Sequence, residues 1–177
     1  MCRRRRVRRR RMSGKGGNED ARVSRCAEII PGADLGEFEG LLELRIPGAV
    51  EEVAPAVERV MAQVRNIGCA QDHGFEIEVA LLEALGNAVE HGCGGDASKE
   101  VEVWVGCHDD CGLVVVIRDP GPGFDPALLP SPVEGENLFR THGRGVWLIN
   151  QLMDSVQYAN GGTELRMHKR PKGDSGD

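Results

Sequence analysis

EIEVALLEALGNAVEHG, residues 76–92, reads as an amphipathic helix with a chemical face. Ile77, Leu81, Ala84, Leu85 and Ala88 recur at three- and four-residue spacing and form an apolar stripe. Gly92, with Gly94 and Gly95 close behind, predicts where the helix stops. On another side Glu83, Asn87 and His91 stand four apart and line up along the axis. A carboxylate and a carboxamide one turn apart can divide a task, one accepting a proton and the other holding a hard cation through its carbonyl oxygen. A solvated polar stripe has the same pattern, so the helix alone does not settle the chemistry.

Upstream, LLELRI at 41–46 alternates as a strand and Pro47-Gly48 ends it. Residues 50–67 carry Val53, Val57, Val60, Met61 and Val64 at helical period, with Pro55 where the first turns tolerate it and Gly68 at the close. Downstream, VEVWVGC at 101–107 alternates as a half-buried strand. LVVVI at 113–117 is a continuous apolar one, and a hairpin loop joins the two. Cys107, His108 and Cys111 lack a fourth ligand nearby, which argues against a zinc site.

DPGPGFD, residues 119–125, comes directly off the apolar strand. Glycine lets backbone approach closely and proline stiffens the turn, a combination suited to a flat ring. An acid at the strand end can accept a hydrogen bond from an exocyclic amine. Residues 126–142 hold three prolines and little periodicity, and read as a lid. His142-Gly143-Arg144-Gly145 then opens an apolar helix containing Val146, Ile149, Leu152 and Met153. A helix start with bare glycines suits phosphates. Ser155 to Ala159 predicts a strand, Asn160-Gly161-Gly162 a turn and Thr163 to His168 the return strand.

The chain has 177 residues, the length of one domain, and no apolar run long enough to span a membrane. Its formal charge of -6 is unevenly distributed. Residues 1–12 carry eight arginines; without them 14 Lys and Arg face 28 Asp and Glu. The leader could bind nucleic acid or an anionic surface, or be a disordered extension with Met12 as the true start. The acidic remainder makes a poor nucleic-acid binder. No apolar segment follows the arginines, so a secretory signal is not expected. Cys2, Cys26, Cys69, Cys93, Cys107 and Cys111 are scattered without a framework and read as free thiols of a cytoplasmic protein.

Three separated motifs thus occur in a fixed order: EALGNAVEHG, DPGPGFD, and GRG before an apolar helix, with GGT before the last strand. Together they resemble the ATP-binding domain of the GHKL ATPases, the Bergerat fold, over residues 41–170. Within it they are most similar to the stand-alone anti-sigma factor serine kinases of the RsbW and SpoIIAB type. The resemblance implies an α/β two-layer sandwich, a mixed, mostly antiparallel sheet with helices on one face. Residues 1–40 would be a basic, Gly-rich leader and 171–177 a loose tail.

By the same resemblance Glu83 matches the general base, Asn87 the Mg²⁺ ligand, and Asp119 the acid that binds the adenine amine. Gly121 and Gly123 would line the ring, Gly143 and Gly145 the phosphates, and Thr163 would support the adenine end. His91, Arg140 and Arg144 receive no role. Arg144 departs from the family, where a smaller or apolar residue often stands between the phosphate glycines. The implied cofactors are ATP and Mg²⁺. The implied activity is protein serine/threonine phosphorylation of a STAS-type anti-anti-sigma protein by a homodimer that otherwise holds a sigma factor. The alternative is an ATP-binding partner-switch module with little or no transfer.

Overall fold

A computed structural model describes residues 38–108, 112–125 and 144–170. The leader up to residue 37, the lid with Arg140 and Gly143, and the tail lie outside the described residues, as does the hairpin tip; the first strand begins at Glu39, two residues inside the expected leader. In chain order the elements are β1 (Glu39–Pro47), α1 (Val53–Ile67), α2 (Gly74–Asn87), β2 (Glu100–His108), β3 (Gly112–Arg118), α3 (Arg144–Leu152), β4 (Ser155–Ala159) and β5 (Glu164–Lys169). The strands form one sheet in the order β1-β2-β3-β5-β4, and all four pairings are antiparallel. This is the α/β sandwich expected, with a sheet that among the described residues is antiparallel throughout rather than mixed.

Alternation along the strands sends one set of side chains to the helices. Leu44 and Ile46, Val101, Val103 and Val105, Leu113, Val115 and Ile117, and Leu165 and Met167 bury against α1, α2 and Ile149 of α3. The continuous apolar run of β3 has a separate cause. Its other face puts Val114 and Val116 under Phe38 and Trp104, so both faces are buried. That second face also carries charge. Arg118 lies 5.2 Å over the Trp104 ring and donates from Nε and Nη2 to Glu164 Oε2 at 3.0 and 2.7 Å. Arg166 Nε and Asn160 Nδ2 donate to the same carboxylate at 2.6 and 2.9 Å. Glu164 is fully buried, and four donated bonds hold it there.

Two differences from the sequence reading have physical reasons. The helix over 76–92 does not stop at Gly92. After Asn87 it widens into one π-helical turn, Ala88–Cys93, with Gly92 inside it. The stop is made by Gly94 and Gly95, both left-handed (φ 68° and 72°), and the Gly95 N–H closes the turn on the Val89 carbonyl at 3.0 Å. The cysteines are not all free either. Cys69, just past the end of α1, is disulfide-bonded to Cys107 of β2 across 6.1 Å between Cα atoms. The two had no spacing signal because the pairing is made by the fold: helix and strand bring them together from 38 residues apart. Cys93 is a buried free thiol; Cys2, Cys26 and Cys111 lie outside the described residues. Among the described residues no helix is long and apolar enough to cross a membrane.

Candidate functional site

A cleft of about 500 Å³ opens between α2 with its π-turn, the first turn of α3, and the ends of β3, β4 and β5. It has two chemically distinct ends.

At one end α2 presents Glu83 and Asn87, both half-buried, one turn apart as the i, i+4 spacing requires. Gly145, in the first turn of α3, packs directly on them. A Cβ there would stand 2.5 Å from Glu83 Oε2 and 3.3 Å from Asn87 Nδ2. The absence of a side chain is therefore what lets the start of α3, with its unpaired N–H groups, come down onto the carboxylate–carboxamide pair. Below, α3 is anchored by fully buried Ile149. Lys169 finishes it, donating from Nζ to the Leu152 carbonyl at 2.7 Å.

The other end is a narrow apolar slot built around one acid. Asp119 follows β3 directly. Its N–H donates to the Thr163 carbonyl at 3.0 Å, and its Oδ1 accepts the Gly121 N–H at 2.8 Å. Burial raises its pKa above the usual carboxylate value, with the Gly121 bond pulling the other way. Ile117, Leu165, Phe124 and Tyr158 complete the slot. The Phe124 and Tyr158 rings meet edge-on at 5.1 Å, and burial pushes the Tyr158 hydroxyl up to about 12.

The stiff loop over 119–125 docks backbone to backbone on the turn before β5. The Phe124 N–H donates to the Gly161 carbonyl at 2.9 Å, and a Cβ on Gly123 would overlap that same carbonyl oxygen.

The structure thus brings Glu83, Asn87, Asp119, Gly123 and Gly145 to one cleft, with His91 at its exposed rim. Gly121 and Thr163 are not on its wall. Gly121 stands behind Asp119, and the Thr163 hydroxyl donates to the Asn160 carbonyl within the turn at 3.0 Å. Support from Thr163 comes through its backbone, which holds Asp119. Phe124 and Tyr158 were not singled out from sequence. Phe124 sits inside a motif quoted for its glycines, and the inward alternation of β4 was the only sign for Tyr158. Among the described residues no group of three His, Cys, Asp or Glu is placed to hold a metal ion by itself.

The sequence pattern of the histidine kinase-like ATPase domain matches residues 46–169, which contain the whole cleft. Among curated proteins, the chain is 28% identical to the serine-protein kinase RsbW of Oceanobacillus iheyensis over 125 residues, covering 67% of this chain and 78% of that one. It is 32% identical to the RsbW of Bacillus mycoides over 123 residues, covering 66% and 75% respectively. Among solved structures, one of the RsbU and RsbW domains of a Mycobacterium tuberculosis protein superposes with a TM-score of 0.52 at 17% identity. The match covers 75% of this chain and 32% of that one, and the likeness is one of fold.

Proposed function

The chain belongs to the histidine kinase-like ATPase domain family, and from that membership we propose that it is an RsbW-type protein serine/threonine kinase that acts by partner switching. Its substrates would be ATP and a serine or threonine of a STAS-type anti-anti-sigma protein. With that antagonist absent or phosphorylated, a homodimer would hold a sigma factor in the cytoplasm. The observation that carries the reading is the cleft itself, an acid in an apolar slot at one end and a carboxylate–carboxamide pair under a bare helix start at the other.

The donor set suits the group it would hold. Asp119 is an acceptor walled by Ile117, Leu165 and two rings, an environment for a flat base carrying an amine. Asn87 offers an amide oxygen to a hard cation, and the start of α3 offers N–H groups to phosphates. Mg²⁺, when bound, supplies charge neutralisation for the transferring phosphoryl group. Glu83 would take the proton from the acceptor hydroxyl as that oxygen bonds to the γ-phosphorus and the bond to ADP breaks. The relatives' name, serine-protein kinase, supports this assignment over simple ATP hydrolysis, and Glu83 supports it over a pure binding module, which needs no base.

The test is radiolabel transfer from ATP to a STAS protein encoded beside this chain, with nucleotide affinity measured in parallel. Glu83→Ala should leave ATP binding largely intact and slow transfer by about 10²- to 10⁴-fold. Asn87→Ala should lower Mg²⁺-dependent binding and transfer together. A wild type that transfers nothing yet binds a sigma factor would leave the binding-module reading standing.

A further inference from the structure

We infer that Gly92 is a positioning residue for base recognition, because its missing side chain is what lets the Asp119 carboxylate seat against the π-turn. The inference rests on the reading of Asp119 as the acceptor for the adenine amine. Gly92 is buried, and a Cβ built on it would overlap the Asp119 carboxyl carbon and Oδ1 and stand 2.5 Å from the Asp119 Cβ. From the other side, a Cβ on Gly121 would stand 2.7 Å from the Gly92 Cα, 2.8 Å from its carbonyl oxygen and 2.7 Å from Asp119 Oδ1. Two backbones, at Gly92 and Gly121, therefore meet around one carboxylate with no side chain between them.

Two hydrogen bonds hold Asp119 where it is. Its own N–H is tied to Thr163 and its Oδ1 to Gly121. A methyl group at position 92 must push either the carboxylate or the π-turn. Moving the carboxylate breaks the bond from Gly121, which leaves the second oxygen turned away from the slot. The carboxylate, a side chain on the cleft wall, gives way before the π-turn, whose Ala88, Val89, Gly92 and Cys93 are buried.

The backbone conformation of Gly92 does not call for glycine. Gly92 is not among the positive-φ residues, so alanine is free to adopt its conformation. Inside a helical segment alanine is ordinarily the better residue. A sequence that keeps glycine here is giving up helix propensity for close approach.

The experiment measures affinity for ATP and for ITP, which carries a 6-oxo group in place of the amine, in wild type, Gly92→Ala, Asp119→Asn and Gly86→Ala. Gly86 lies in the same helix with open space around its Cβ position. Wild type should prefer ATP by about tenfold or more, the worth of one bond to a charged acceptor. Gly92→Ala should lose most of that preference, through weaker ATP and unchanged ITP binding, while its melting temperature stays near that of wild type. Gly86→Ala should keep the preference. A merely structural role for Gly92 would weaken both nucleotides alike and preserve the ratio, which would overturn the inference. If Asp119→Asn loses the preference and Gly92→Ala keeps it, the positioning role alone fails. If Asp119→Asn keeps it, the reading of Asp119 fails and this inference with it. Should Gly92→Ala not fold, Gly121→Ala crowds the same carboxylate from the other side and must reproduce the loss of preference.

Discussion

Asp119 shows how far one residue could be read in advance. Its place at a strand end before alternating glycines suggests an acceptor, and the structure sets it on the cleft wall, where burial raises its pKa. Asp119→Asn keeps the shape and removes the charge, so calorimetry should find ATP affinity weaker by roughly 1.5–3 kcal/mol. Glu83 and Asn87 were legible for a simpler reason, since a four-residue spacing on a helix fixes who stands beside whom. Gly92 was misread as a stop because sequence does not distinguish a glycine that ends a helix from one that admits a neighbour. His168 gave no sign at all. It is 4% exposed on β5, and neither ring nitrogen has a hydrogen-bond partner among the described residues. Burial lowers its pKa, helped by Arg170 and opposed by Asp154. A folded pKa below the unfolded value near 6.5 means the stability is fully present above that pH and is lost as pH falls through it. Thermal melts between about pH 7.5 and 5.5 should show this fall, and His168→Leu should flatten it.

Whole elements were the most legible level, because alternation in strands and three-four spacing in helices reflect burial on one face. The boundaries moved by a residue or two, and the first turn of the 50–67 segment is a short 3-10 turn, Val50–Glu52, rather than α-helix. Two features lay beyond periodicity. The π-turn after Asn87 packs against β2 and against Asp119 of the loop after β3, a tertiary matter. The insertion of β5 between β3 and β4 is a pairing between segments far apart in sequence, which no local pattern encodes. α3 is the shortest α-helix among the described residues. It has nine residues and presents Gly145 to the Glu83–Asn87 pair; among its described residues Ile149 is the buried side chain, Leu152 packs partly on the core, and Lys169 caps the end. Ile149→Ala should therefore cost about 2–5 kcal/mol in chemical denaturation.

At the scale of the molecule, the motifs in order identified the fold, and composition misjudged the thiols. The Cys69–Cys107 bond was invisible because spacing carries no information about two cysteines that a helix and a sheet bring together. Closing a loop of that length restricts the unfolded chain by about 4 kcal/mol in the chain-entropy view. A dithiol reductant, or the Cys69→Ser/Cys107→Ser double variant, should lower the melting temperature by on the order of 10 °C. An unchanged melting curve with both thiols then reactive would mean the bond contributes nothing. The bond also turns part of a linear chain into a covalent ring, and that ring encloses all of α2, with Glu83, Asn87 and Gly92. The turn over 94–99 is exposed and belongs to the ring. A protease that nicks it would produce a molecule that migrates as one chain until it is reduced and as two pieces afterwards. Such a cut would open the circle and leave α2 covalently tethered on its N-terminal side alone, through Cys69.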